Sequence, residues 1–244
     1  WWLLHMARET HRHLTHPAPE PPLVRELQEL LRDRPAVDGD YAQLHVDAAS
    51  SLRRALVAKE RLAGAPGPVI AVGDDDGVTL ALVLCGVREL AVVDVDERLL
   101  AWLVDTSRGL GARIDARQVD LLEDAVPDDY ASKFLVSITD PPRSEEDCLD
   151  FLRFCAECTR AGGSVLLADH PDWNYEHARV VSALGSLGLE IVETKERWHR
   201  YPLVSAWAPS PGPIARELGV EPAWLAALAE ATSAFSHLYV LARR

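Results

Sequence analysis

The residues best suited to chemistry are acids placed just after short apolar runs. Val69-Ile70-Ala71-Val72 leads into Gly73-Asp74-Asp75-Asp76-Gly77, and a second run leads into Asp94-Val95-Asp96-Glu97. A glycine at such a turn lets the backbone approach a nucleoside closely, whereas three carboxylates oppose a pyrophosphate. The loop therefore argues against NAD or ATP and for a donor carrying positive charge, such as a sulfonium with an amino group. Asp94, about 20 residues beyond the loop, is placed to accept hydrogen bonds from two vicinal ribose hydroxyls. Asp96 joins it as a donor-site candidate, and Asp120 in Val119-Asp120-Leu121 is placed to accept from an adenine amino group. Each acid alone also fits a helix N-cap. Their recurrence after successive runs is what points to one pocket.

A further acid opens Asp140-Pro141-Pro142. Two prolines fix an extended turn that aims the preceding carboxylate into a cleft. Attack by an amine on a carbon bound to a sulfonium requires a deprotonated, desolvated nucleophile held in line. Asp140 is the candidate to take the proton or orient the amine, with Pro141 and Pro142 beside the acceptor. Asp169 and Trp173, in Asp169-His170-Pro171-Asp172-Trp173, are further acceptor-side candidates. Cys148, Cys155 and Cys158 contain a C-x-x-C pair but lie among Leu149, Phe151, Leu152 and Phe154 in a helical pattern, which reads as core. The His-rich start reads as a solvated helix, and no metal is expected.

These acids need strands to hold them. From Pro68 onward short apolar runs alternate with helical stretches, the pattern of a parallel sheet with crossover connections. The expected strands are Val69–Val72, Leu90–Asp94, Arg113–Val119, Phe134–Thr139, Ser164–Ala168, Glu190–Lys195 and Ser236–Ala242. In such a sheet ligands bind outside the carboxyl ends of the strands, where these acids fall. The expected fold is α/β, a seven-stranded class I methyltransferase-like Rossmann fold with a small helical N-terminal region. Residues 1–64 form that region and 65–244 the transferase domain. In the first part, Leu23, Leu27, Leu30 and Leu31 recur at helical spacing. A second helix over Ala48–Leu62 places Leu52, Ala55, Leu56 and Leu62 near one face with Arg53, Arg54 and Lys59 outside. The stretch from Tyr201 to Ala234 reads as a Pro-rich insertion covering an acceptor site.

With 48% hydrophobic residues among 244, the chain can bury a substantial core. A net charge of −13 makes nucleic acid a poor partner. Apolar runs are strand-sized rather than membrane-spanning, and the four Cys do not form a secreted disulfide framework, so a cytoplasmic location is expected. Trp1–Met6 does not read as a signal peptide, and a chain that opens without Met is expected to be part of a longer one. A small-molecule amine is the expected partner, and a homodimer is compatible with the sequence.

Gly73-Asp74-Asp75-Asp76, Val93-Asp94-Val95-Asp96-Glu97-Arg98-Leu99 and Asp140-Pro141-Pro142, with Tyr41-Ala42-Gln43 and Ser50-Ser51-Leu52-Arg53-Arg54 ahead of them, resemble the branched-chain polyamine synthases, or N4-bis(aminopropyl)spermidine synthases. The resemblance spans about Tyr41 to Ala168. It implies transfer of aminopropyl groups from decarboxylated S-adenosylmethionine to the secondary amine of a linear polyamine. It assigns Asp75 and Asp76 to the donor's ammonium or the acceptor channel, Asp94 to the ribose and Asp140 to the reacting amine. Gln43 falls with the donor and Tyr41 with the acceptor. The chain departs from the family pattern in having Arg143-Ser144 where a Glu is expected after the prolines. A guanidinium there would repel a polycation unless Glu145, Glu146 or Asp147 neutralises it. Methyl or aminocarboxypropyl transfer from intact S-adenosylmethionine, or non-catalytic sensing of a polyamine or nucleoside, are the alternatives.

Overall fold

The structure is a computed structural model that describes residues 22–38, 41, 43–142, 144–171, 177–202, 216, 219, 221–223 and 233–244. Among the described residues two helices come first, α1 (Pro22–Leu30) and α2 (Ala48–Leu62). They are followed by β1 (Val69–Val72), α3 (Val78–Leu84), β2 (Leu90–Asp94), α4 (Glu97–Gly109), β3 (Asp115–Gln118) and β4 (Phe134–Thr139). The chain then forms α5 (Glu145–Cys158), β5 (Thr159–Asp169), α6 (His177–Ala183), β6 (Leu189–Pro202) and β7 (Ser233–Arg243). Trp173 and Arg143 lie outside the described residues, as does most of the expected insertion.

The seven strands form one sheet in the order β3-β2-β1-β4-β5-β7-β6. β1 to β5 pair in parallel, and β7 runs antiparallel between β5 and β6. β1, β2 and β4 are buried along their whole length, because helices cover both faces. One apolar layer joins the sheet to α1, α2, α3 and α4, and the other joins it to α5 and α6. The three cysteines Cys148, Cys155 and Cys158 sit in the second layer. Strand order reverses between β1 and β4, so the crevice of an open parallel sheet opens where the Gly73 loop meets Asp140. The Thr139 hydroxyl donates to the Val72 carbonyl (2.9 Å) and ties these two strand ends together.

Three expectations need correction. Arg54 is not on the outer face of α2 but 1% exposed, on one stripe with Ser51, Ala55 and Ala58, whereas Leu56 is 43% exposed. A buried cation is tolerated there because carboxylates of two other elements neutralise it. β6 continues past Lys195 to Pro202, so the segment expected to leave the sheet at Tyr201 is still strand. Its pairing with β7 slips between Lys195 and His199, with Arg197 at φ 51, a bulge that re-aims the following side chains. β3 is confined to Asp115–Gln118, and β5 is longer than expected.

Gly77 caps α3 at φ +68, and a Cβ there would stand 2.6 Å from Leu31 Cδ2. Gly77→Ala is expected to cost about 1–3 kcal/mol, most of it backbone strain, measurable by urea unfolding.

Candidate active site

All three loop acids accept hydrogen bonds within the protein, and two of them are buried. Asp74 accepts from Val78 N (2.7 Å) and Thr79 N (2.9 Å), supplying the cap that Gly77 cannot give to α3. Burial nonetheless pushes its carboxyl up to about 7. Asp76, 1% exposed, accepts from Val46 N (2.8 Å), and its Oδ2 lies 3.0 Å from Arg54 Nη2. Asp75 is the partly exposed one. It accepts from Leu44 N at Oδ2 (3.0 Å), while Arg34 donates to its backbone carbonyl (3.0 Å). Burial, then the charges of Asp76, Asp140 and Asp94, hold Asp75 well above the ordinary carboxylate range, with Arg34 opposing. Gly73, at φ +68, faces Phe151, which a Cβ would meet at 2.9 Å.

At the end of β2, Asp94 accepts from Asp74 N and Asp96 N (2.9 Å each), one on each oxygen. Those bonds fix its plane beside the Gly73 loop; burial raises its carboxyl and the amides oppose the rise. Asp96 caps α4 through Arg98 N, and it receives the Arg98 guanidinium and Gln43 Nε2 (3.3 Å). Hydrogen bonding from Arg98 holds Asp96 below the ordinary range. Gln43 also accepts from Asp38 N (2.8 Å), so it ties the segment before α2 to the end of β2. Tyr41 is exposed beside this segment.

Asp140 follows β4 and sits under α2. Its Oδ2 accepts from Arg54 Nη2 (3.0 Å) and Tyr201 Oη (2.6 Å). Burial pushes Asp140 up to about 7; Arg54 and the Tyr201 hydrogen bond lower it, and Asp76 raises it. Burial works against the Arg54 cation, but Asp76 and Asp140 raise it above its usual value. Pro141 is buried and Pro142 partly so. Beyond them α5 opens with Glu145, Glu146 and Asp147 in its first turn, and Glu145 pairs with Arg179 (2.8 Å). A cavity of about 470 Å³ is lined there by Ser144, Glu145, Glu146 and Leu149.

Asp74, Asp75, Asp76, Asp94, Asp96, Gln43 and Asp140 thus converge on the reversal point of the sheet. Two other candidates have separate surroundings. Asp120 closes its own turn, accepting from Leu122 N (3.0 Å) and receiving nothing from the loop acids. Asp169 bonds to His177 Nδ1 (2.7 Å) of α6, on the face of the sheet opposite to α2. Arg54, Arg34, Tyr201, His199 and Ser236 were not among the expected site residues. Their signal was faint: Arg54 lies on a stripe with small buried residues, and His199 and Tyr201 alternate along a strand.

The profile of the branched-chain polyamine synthase A C-terminal domain matches residues 22–163, more than half of the chain. The chain belongs to the branched-chain polyamine synthase family. An N(4)-bis(aminopropyl)spermidine synthase of Thermococcus kodakarensis is 32% identical over 126 residues, covering 51% of this chain and 36% of the relative. The chain therefore matches only about a third of that relative's length. The branched-chain polyamine synthase of Thermus thermophilus, solved with N4-aminopropylspermidine and 5'-methylthioadenosine, superposes with a TM-score of 0.70 at 20% identity. That match covers 91% of this chain and 63% of the other. A putative RNA methyltransferase of Pyrococcus horikoshii superposes at 0.59 with 15% identity, over 90% and 98% of the two chains. The fold is thus the class I methyltransferase-like Rossmann fold. The family match takes in the Gly73 loop, Asp94 and Asp140 and stops before Asp169, His199, Tyr201 and Ser236.

Proposed function

We propose that this chain is the catalytic domain of an aminopropyltransferase that moves an aminopropyl group from decarboxylated S-adenosylmethionine to an amine of a linear polyamine. The observation that carries the reading is the convergence of Asp75, Asp94 and Asp140 at one strand crevice, with Asp75 and Asp140 held above the usual carboxylate range. Such acids gain from an incoming cation: an ammonium restores the charge balance that burial has disturbed. A pyrophosphate would add repulsion instead.

The residues present fit the donor. Asp94, with its plane fixed by two amides, keeps further acceptor positions for ribose hydroxyls. Asp75 is suited to the donor's ammonium. A donor that kept its carboxylate would meet the same acid with like charge, so the loop disfavours intact S-adenosylmethionine. The sulfonium supplies an activated leaving group, which leaves alignment, water exclusion and proton removal to the protein. Asp140 is suited to take the proton of the acceptor amine. The amine nitrogen bonds to the carbon that leaves sulfur, the carbon–sulfur pair stays on sulfur, and the amine proton passes to the carboxylate. Glu145 and Glu146, which line the cavity beyond Asp140, are suited to attract a distal ammonium of the acceptor.

Calorimetric titration with both donors is the direct check. Decarboxylated S-adenosylmethionine is expected to bind tighter by roughly tenfold or more, the scale of a close charge pair. Tighter binding of the carboxylated donor would point to methyl or aminocarboxypropyl transfer. Asp75→Asn should erase most of the difference between the donors while leaving the fold intact.

A further inference from the structure

Asp140 is held in place by residues that the proposed reaction has not yet used. Arg54 Nη2 and Tyr201 Oη both end on Asp140 Oδ2. Arg54 Nε lies 3.2 Å from His199 Nε2, His199 Nδ1 lies 2.8 Å from Ser236 Oγ, and Ser236 Oγ lies 2.9 Å from Tyr201 Oη. His199, Ser236 and Arg54 are each no more than 1% exposed and Tyr201 is 2%. The five side chains form a closed ring spanning α2, β4, β6 and β7.

Only one direction of donation satisfies this ring. A guanidinium has donors and no acceptor, so His199 Nε2 carries the lone pair that meets Arg54. Burial, followed by the charges of Arg54 and Arg53, holds His199 well below its ordinary value, so the imidazole is neutral. Its proton then sits on Nδ1 and goes to Ser236 Oγ. The Ser236 proton is left for Tyr201 Oη, and the Tyr201 proton for Asp140 Oδ2. Each donation polarises the next, and the ring ends with two donors on one carboxylate oxygen.

We propose that Tyr201, Ser236 and His199 are positioning residues for Asp140: their one-way circuit saturates Oδ2 and presents Oδ1 to the reacting amine. This rests on the reading of Asp140 as the group that takes the amine proton. The bulge in β6 that places His199 opposite Ser236 makes the circuit possible. The amine N–H bond breaks with its electron pair left on nitrogen, and the proton goes to Oδ1. The groups that set the charge around Asp140 are Arg54, Asp76 and Asp75, with neutral Tyr201 beside it.

The test compares Tyr201→Phe, Ser236→Ala and the double variant by steady-state kinetics with decarboxylated S-adenosylmethionine and spermidine, and by infrared titration of the Asp140 carboxyl. That band is assigned by subtraction of Asp140→Asn. Tyr201→Phe is expected to lower kcat roughly ten- to hundredfold with donor affinity unchanged, the range for losing a buried hydrogen bond to a charge. The titration of Asp140, which burial already raises, should move further upward, because the lost hydrogen bond stabilised the ionised form. Ser236→Ala should act in the same direction but less, and the double variant should be no slower than Tyr201→Phe. Multiplying effects, or an unmoved Asp140 titration, would overturn the circuit. If Tyr201→Phe does not fold, Ser236→Ala decides alone by the same two readouts. Absence of turnover in the unaltered protein would remove the aminopropyl reading, while the infrared titration would still judge the circuit.

Discussion

Asp140→Asn is expected to retain decarboxylated S-adenosylmethionine binding and to lose about 10²–10⁴-fold in kcat, the range for removing a positioned general base. The amide is nearly the same shape, and its oxygen can still accept from Arg54 and Tyr201, so the packing under α2 is preserved. What is lost is the capacity to take a proton. Donor affinity is expected to be spared because the donor contacts are assigned to Asp75 and Asp94 rather than to Asp140. Stopped-flow mixing followed by quantitation of the polyamine products measures the step, and calorimetry measures the donor. Unchanged turnover in Asp140→Asn would remove this residue from the mechanism and leave alignment alone to explain the rate.

The second large effect falls on stability. Among the described residues, Arg54 is the cation that Asp76 and Asp140 share, with Nη2 3.0 Å from each. Arg54→Met is expected to destabilise the fold by about 3–5 kcal/mol, because it leaves uncompensated carboxylates in the interior. The loss should appear in urea or thermal unfolding monitored by circular dichroism. Asp76→Asn in the same background should recover part of it by removing one of the stranded charges. If the double variant were less stable than Arg54→Met, packing rather than charge would explain the Arg54 site. Tyr201→Phe belongs to a different class of effect, with its main consequence in turnover.

Much of the frame is legible in the sequence where local chemistry decides it. β1, β2 and β4 end where expected because each is a short, mostly apolar run that ends at or next to Gly or Asp and is buried on both faces. The bounds of α2 are likewise local, since Asp47 caps the helix through Ser50 N. β6 is different. Its charged, half-exposed alternation runs through a bulge, and no run of apolar residues marks that it continues past Lys195. The site divides in the same way. Acids after strands announce a pocket, yet a capping acid and a ligand-binding acid look alike before the fold is known: Asp74 is spent on the N–H groups of Val78 and Thr79, whereas Asp75 beside it is not. Helical periodicity alone sends Arg54 outward. The partners that draw it inward are 22 residues away at Asp76 and, at Asp140, 86 residues away along the chain.

The acceptor side lies where sequence and family profile say least. His199, Tyr201 and Ser236 fall beyond the matched region, and they meet Asp140 only through the antiparallel pairing of β6 with β7. On the proposed reading, this part of the chain aligns the amine, whereas the Gly73 loop and Asp94 hold the donor.

The most direct measurement is mass spectrometry of the products formed when spermidine is offered with decarboxylated and intact S-adenosylmethionine in competition. A polyamine heavier by aminopropyl units, appearing with 5'-methylthioadenosine and reduced about 10²–10⁴-fold in Asp140→Asn, is the predicted result. A methylated or aminocarboxypropylated polyamine, drawn from the intact donor, would contradict the reading of the acidic crevice as a site for a decarboxylated cation.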